Sequence, residues 1–154
     1  MPAVVIESLE ELRTLVGREI ATTDWVELSQ SRIAQFADAT EDHQWIHLDR
    51  DRARLESPYA TTVAHGFLSL SLLSYLLGQA LEIRSGFRMA VNYGLNRVRF
   101  PAPVFSDSKV RARFTLQSMS EVVDGYQAVF AVVVENQGQG KPCCVAEWML
   151  RYYP

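Results

Sequence analysis

Residues 67–81 read FLSLSLLSYLLGQAL and decide the fold, because they predict a helix with apolar side chains on every side. The polar residues that interrupt the first part of this run, Ser69, Ser71 and Ser74, are all small. A helix that is hydrophobic all round must be surrounded by other atoms. The run is shorter than the roughly 18–20 apolar residues that cross a bilayer. It therefore predicts a helix buried at the centre of a globular domain.

Strand patterns follow this helix to the end of the chain. The predicted strands span residues 88–100, 109–116, 126–135 and 143–153. Apolar and polar residues alternate from Lys109 to Leu116, which is typical of a strand with one face in water. Pro101 and Pro103 end the first strand, and NQGQG at 136–140 predicts a hairpin connection.

Helix caps mark the first third of the chain. Ser8 begins a capping box, and Ser29 or Ser31 can cap a second helix whose apolar residues recur at helical spacing up to Thr40. Asp49 precedes a short charged helix. The predicted elements are a helix over 9–16, a strand over 19–28, a helix ending near Thr40, a loop over 41–48, a helix over 50–56 and a connector over 57–65.

The order of these elements predicts the fold. One wholly apolar helix followed by a long antiparallel meander favours an α+β hot-dog fold, in which an antiparallel sheet is wrapped around a central buried helix. We expect residues 1–154 to form a single domain of this kind. A single five-stranded sheet leaves its edges exposed, and homodimerisation would cover them.

The composition limits the partners and the compartment. With 15 basic and 18 acidic residues and a formal net charge of −3, the chain lacks the positive excess that binds nucleic acid. Its first residues show no basic region and no small-residue cleavage site, so we expect neither a signal peptide nor membrane attachment. Cys143 and Cys144 are adjacent and would point to opposite faces of a strand, which predicts reduced thiols in a cytoplasmic protein.

Two short stretches carry candidate chemistry. Asp42 and His47 lie five positions apart in one irregular segment, where a carboxylate and an imidazole can face one cavity and transfer protons. Alternatively, Asp42 is a turn residue and His47 a core histidine. His65 and Gly66 lie where the connector meets the apolar helix, so that a free amide there could polarise a carbonyl oxygen. Alternatively, Gly66 only permits a tight helix entry.

A metal site is a further alternative for the histidines. His43, His47 and His65 could together bind zinc, which prefers nitrogen and sulfur ligands. The segment that carries the first two shows no helical period, so their spacing does not place them on one helix face. We therefore do not expect a metal site.

The segments 36–53, FADATEDHQWIHLDRDRA, and 61–73, TTVAHGFLSLSLL, resemble the signature of MaoC-like dehydratases, in particular the R-specific enoyl-CoA hydratases. The matching positions are Phe36, Ala37, Thr40, Asp42, His47, Asp49, His65 and Gly66. The segment 92–104, NYGLNRVRFPAPV, is similar to the strand that follows the central helix in this family. The pattern departs at Glu41, where the family commonly has glycine, and at Gln44-Trp45, where Asn-Pro is common.

The resemblance implies reversible hydration of a trans-2-enoyl-CoA to an (R)-3-hydroxyacyl-CoA. It implies that Asp42 acts as base, that His47 orients the water and that the Gly66 amide binds the thioester carbonyl. It implies no metal and no redox cofactor, because the reaction moves only water. A non-catalytic acyl-CoA-binding subunit and a hot-dog acyl-CoA thioesterase are alternatives. Such thioesterases typically use a carboxylate on the central helix or on an adjacent strand, and residues 67–80 of the helix contain no acidic residue, which counts against hydrolysis.

The same resemblance suggests further substrate contacts. Positions expected to line the acyl or coenzyme A site are His65, Ser74, Asn92, Tyr93, Gly94 and Arg99 (or Arg97). Each of these residues has an ordinary structural alternative, as a helix-packing or strand residue. Pathways that build polyhydroxyalkanoate and pathways that degrade fatty acids are both compatible with the implied reaction.

Overall fold

A computed structural model describes residues 3–154 of the chain. The helices are Leu9–Arg13 (α1), Gln30–Thr40 (α2), Trp45–Leu48 (α3), Arg50–Glu56 (α4), Gly66–Ser71 (α5) and Leu73–Ala80 (α6). The strands are Val4–Ile6 (β1), Glu19–Thr22 (β2), Val26–Leu28 (β3), Leu81–Ile83 (β4), Met89–Arg99 (β5), Ser108–Val122 (β6), Gly125–Asn136 (β7) and Cys144–Tyr153 (β8). Among the described residues, no helix is both long and apolar enough to cross a membrane.

Six strands form the main sheet, in the order β2-β6-β7-β8-β5, with β3 also paired to β6. All pairings in this sheet are antiparallel. The α5–α6 pair packs against β2, β6 and β8, so the sheet wraps around these helices. The predicted hot-dog arrangement is confirmed, with six strands in the main sheet instead of five.

Alternation places the core on one face of the sheet. From Val110 to Leu116, every second side chain of β6 is buried, as the sequence pattern predicts. Phe114, Phe130 and Trp148, from three neighbouring strands, contact one another within this core, with ring centroids 6.2–6.5 Å apart. These side chains belong to the buried face of the sheet, against which the central helices pack.

The central helix differs from the expectation in two ways. It is divided at Leu72 into α5 and α6, and Leu81 belongs to β4. Leu76 is fully buried, but Phe67 is 68% exposed and Tyr75 is 46% exposed. The prediction that the helix is surrounded on all sides is therefore wrong for the single chain, since the sheet covers only part of its circumference.

Short elements account for the other corrections. The strand predicted over 19–28 is divided into β2 and β3, and at the break the Thr23 hydroxyl accepts a hydrogen bond from the Ala112 amide at 2.9 Å. The loop predicted over 41–48 contains the single-turn helix α3, and the first helix ends at Arg13. The parallel pair β1–β4 was not predicted.

The helix caps agree with the sequence. Ser8, Ser29 and Asp49 each accept a hydrogen bond from the main-chain amide three residues later, at 3.1, 3.1 and 2.9 Å. Such bonds satisfy amides that have no acceptor within the helix. The caps fix where α1, α2 and α4 begin, and hence where the segments between them lie.

The cysteines are structural. Cys143 and Cys144 are both free and buried, as expected of reduced thiols. Burial raises the pKa of Cys143 to about 12 and that of Cys144 to about 11, so neither is a thiolate at neutral pH.

Candidate active site

Asp42 lies in the turn that ends α2. The preceding residue, Glu41, is the C-cap and has left-handed backbone angles, φ 60° and ψ 19°. This conformation favours glycine, which explains why the family pattern has glycine at this position. The turn leaves the Asp42 side chain 53% exposed. The carboxylate therefore faces open space beside the end of α2.

His47 lies on α3 and is buried. Its Nδ1 atom is 2.6 Å from the main-chain oxygen of Val63, so Nδ1–H donates to that oxygen and Nε2 keeps its lone pair. Burial lowers the pKa of His47, against a smaller opposing effect of the Val63 bond. The ring is therefore a neutral acceptor at neutral pH.

His65 joins the other two residues. It is the N-cap of α5 and is 3% exposed. Its Nε2 atom is 3.0 Å from the main-chain oxygen of Asp42 and 3.9 Å from the Asp42 Oδ2 atom. Its ring stacks on that of His47, with centroids 3.7 Å apart. Asp42, His47 and His65 each place one polar side-chain atom within 4.8 Å of the other two.

The cluster differs from the metal site considered from the sequence. His43 is not part of it, because its Nε2 atom lies 3.0 Å from Asp38 Oδ1 at the surface. The number of donors in the Asp42 cluster would suit a cation, but His47 Nδ1 and His65 Nε2 already bind main-chain oxygens. The arrangement, one open carboxylate beside one neutral imidazole acceptor, suits proton transfer.

Gly66 is the first residue of α5. Amides in the first turn of a helix have no acceptor within it, and the His65 side chain does not cap this helix. A Cβ atom at Gly66 would lie 3.0 Å from the Phe100 ring. Glycine is therefore needed here for packing.

The structure brings four further candidates together in a separate cleft. Ser74, Asn92, Tyr93 and Gly94 line a cleft of about 240 Å³ between the central helices and β5. Ser74 and Asn92 also line an adjoining, more apolar cleft of about 270 Å³. The Asn92 side chain accepts a hydrogen bond from Trp148 Nε1 at 3.1 Å. Asp42 and His47 line neither cleft.

Arg99 lies apart from both groups. Its guanidinium donates to the main-chain oxygen of the adjacent Val98 at 2.7 Å, and it lines neither cleft. It is next to Phe100, which covers Gly66. Its predicted contact with coenzyme A stays a prediction.

Gln30 is a residue that the sequence analysis missed. Its side-chain amide donates to the main-chain oxygen of His47 at 2.7 Å and accepts from the Thr62 hydroxyl at 2.5 Å. It therefore ties α3 to the segment before α5. No signal in the sequence marks it, because a glutamine in the first turn of a helix is ordinary.

Comparison with known proteins gives a consistent result. The family described as MaoC like domain matches residues 11–138. A 3-hydroxyacyl-thioester dehydratase Z of Mycobacterium tuberculosis is 46% identical over 147 residues, covering 95% of this chain and 96% of that protein. Nodulation protein N of Rhizobium meliloti is 40% identical over 143 residues, covering 92% and 89%. The structure of an (R)-hydratase from A. caviae, involved in PHA biosynthesis, has a TM-score of 0.72 at 27% identity, covering 90% and 96%.

Proposed function

The chain belongs to the MaoC-like dehydratase family and is a hydro-lyase, and we propose that it reversibly hydrates trans-2-enoyl-CoA to (R)-3-hydroxyacyl-CoA. The relatives named above support this substrate class, since one is a 3-hydroxyacyl-thioester dehydratase and another an (R)-hydratase. The observation that carries the proposal is the Asp42–His47 pair, a carboxylate and a neutral imidazole with polar atoms within 4.8 Å.

The pair can hold one water molecule by both of its hydrogens. Asp42 accepts one hydrogen through its carboxylate, and His47 accepts the other at Nε2, because its Nδ1–H is already donated to Val63. The lone pairs of the water oxygen then point away from both residues. A water held in this way is oriented to attack an electrophilic carbon placed above the pair.

The Gly66 amide supplies the electrophilic assistance. When the thioester carbonyl accepts a hydrogen bond from this N–H, electron density leaves the conjugated double bond and C3 becomes electrophilic. As the water oxygen bonds to C3, Asp42 takes one of its protons and the thioester becomes an enolate. Removal of one such donor from an oxyanion hole typically costs about 3–4 kcal/mol of transition-state stabilisation.

Protonation of C2 completes the reaction. The Asp42–His47 pair returns a proton to C2, so that one water is added and the pair regains its starting charge. Because both residues lie on one side of the substrate, the oxygen and the hydrogen add to the same face. No electrons are exchanged with another molecule, and we propose that the enzyme works without a redox cofactor or a metal ion.

A second copy of the chain would complete the site. Among the described residues, β5 pairs only with β8, and its apolar residues Met89, Val91 and Tyr93 are exposed. A long exposed apolar edge is normally covered in a native protein. We propose a homodimer formed through β5, with the coenzyme A arm along the subunit boundary and the acyl chain in the clefts beside Ser74. The free, buried thiols fit a cytoplasmic enzyme.

Hydration assays with matched surface variants test the proposal. Substrates would range from crotonyl-CoA to dodecenoyl-CoA, with the chirality of the product determined. Loss of either member of the pair, in Asp42→Asn or His47→Gln, should lower kcat by about 10²- to 10⁴-fold while the fold is retained. Asp38→Asn and His43→Gln change the same residue types at the surface and should keep wild-type activity. Wild-type turnover by Asp42→Asn or by His47→Gln would reject the role proposed for that residue in activating the water.

The same assays separate hydration from thioester hydrolysis. Loss of absorbance from the conjugated thioester without release of free thiol supports a hydratase, and release of free coenzyme A supports a thioesterase. The helices α5 and α6 contain no acidic residue that could serve hydrolysis.

A further inference from the structure

His65 contacts both members of the catalytic pair but offers no accessible nitrogen to a substrate. Nε2 is hydrogen-bonded to the Asp42 main chain, and Nδ1 is buried without a hydrogen-bond partner in the described chain. The residue as a whole is 3% exposed. No nitrogen of His65 in the described chain is therefore both unpaired and exposed to a substrate.

We propose that His65 is a positioning residue that fixes the Asp42 turn relative to His47; this rests on the hydratase function proposed above. Its Nε2–H donates to the Asp42 main-chain oxygen, and the face of the same ring supports the His47 imidazole. One side chain thus sets the separation between the carboxylate and the imidazole.

The surroundings show why this contact matters. Asp42 is exposed and follows a left-handed residue at the end of α2. Within the turn, the Gln44 amide approaches Asp42 Oδ1 only at 3.4 Å, a long hydrogen bond. The bond from His65, at 3.0 Å, is shorter and comes from a different element. It is the stronger restraint of the two on where Asp42 lies.

His65 is itself held firmly. The amide of the preceding residue, Ala64, donates to the Val104 main-chain oxygen at 2.8 Å, and Val63 forms a β-bridge with Phe105. The ring of Phe36, on α2, lies 5.0 Å from the His65 ring. The restraint therefore passes from the segment before β6, through His65, to the catalytic turn.

A pair of amide substitutions isolates the donor. The amide nitrogen of His65→Gln can lie close to the position of Nε2, whereas the shorter side chain of His65→Asn ends one bond before that position. Both variants lack the aromatic ring, so the difference between them reports on the donor alone. We expect His65→Asn to lower kcat roughly 10- to 100-fold, the scale of a misplacement of about 1 Å, with KM nearly unchanged. His65→Gln should recover most of that loss. Equal kcat in the two variants, or a loss carried by KM, would overturn the proposal.

A spectroscopic measurement tests the geometry without any substrate. The chain has three histidines, so ¹⁵N imidazole spectra can be assigned by comparing the wild type with His43→Gln and with His65→Gln, each of which removes one ring, and the remaining signals belong to His47. For the neutral rings, we expect the proton on Nε2 of His65 and on Nδ1 of His47, because these atoms face main-chain oxygens that can only accept. A proton on Nδ1 of His65 would overturn the proposal. If the wild type hydrates no enoyl-CoA, the proposed function fails separately, and the spectra still decide whether His65 holds the Asp42 turn.

Discussion

Replacing Glu41 by glycine should stabilise the protein. Glu41 has φ 60° and ψ 19°, a left-handed conformation that costs an L-residue about 1–2 kcal/mol. Glycine avoids this cost, but it also makes the unfolded chain more flexible, which lowers the free energy of unfolding by about 0.4–1 kcal/mol. The Glu41 side chain is exposed and loses no packing. We therefore expect the free energy of unfolding to rise by about 0.5–1 kcal/mol.

Thermal unfolding followed by circular dichroism, with a urea titration beside it, measures this change. For a domain of this size, about 1 kcal/mol corresponds to a rise in Tm of about 2–4 °C. The matched control is Glu41→Ala, which removes the same charge and side chain but keeps the Cβ atom. Alanine should give no gain. If both variants change Tm equally, or if glycine lowers it, the assignment of backbone strain to this turn is wrong.

Three further outcomes follow from the geometry of the site and its clefts. Because burial lowers the pKa of His47 below 6.5, its neutral form persists to lower pH, so the acidic limb of kcat/KM should lie below 6.5; a limb above that value contradicts the assignment. The methyl group of Gly66→Ala would lie 3.0 Å from the Phe100 ring, so we expect kcat/KM, measured by steady-state kinetics, to fall about tenfold. Adding Phe100→Leu should relieve this contact and restore part of the lost kcat/KM. Asn92→Leu leaves Trp148 Nε1 without its acceptor and should lower the free energy of unfolding by about 1 kcal/mol in a urea titration, whereas no change would mean that this bond contributes nothing.

The elements that sequence analysis predicted correctly depend on local chemistry. Ser29 and Asp49 cap α2 and α4 through bonds to amides three residues away, so the signal and its effect lie in the same short segment. The missed elements depend on distant partners. β1 and β4 have three residues each and exist because they pair with one another across most of the N-terminal half. No three-residue pattern carries that information.

The central helix shows a different limit. Its composition correctly predicted that a sheet packs against it, but it did not predict how much of it a single chain covers. Phe67 and Tyr75 remain exposed, although they belong to the same apolar run as the buried Leu76. An apolar pattern shows which atoms need cover, and it does not identify the chain that provides it.

The members of the candidate site could be proposed from the sequence, but the contacts between them could not. Asp42, His47, His65 and Gly66 were all candidates, and the structure brings the first three into one cluster, with Gly66 directly after His65. Spacing alone could not show that His65 binds the Asp42 main chain. That contact depends on how the segment before α5 docks against the segment before β6, which involves residues about forty positions apart, such as Val63 and Phe105.

This docking also has a consequence for the chain as it is synthesised. Asp42, His47 and His65 have all been translated once Gly66 is made, but the segment that fixes their loop, at Val104 and Phe105, comes about forty residues later. At roughly 5–20 residues per second, the ribosome needs several seconds to add that segment. During this interval Asp42, His47, His65 and Gly66 are already part of the nascent chain. They can take up the arrangement described above only after the second half of the chain has emerged and Val104 and Phe105 have docked against Val63 and Ala64.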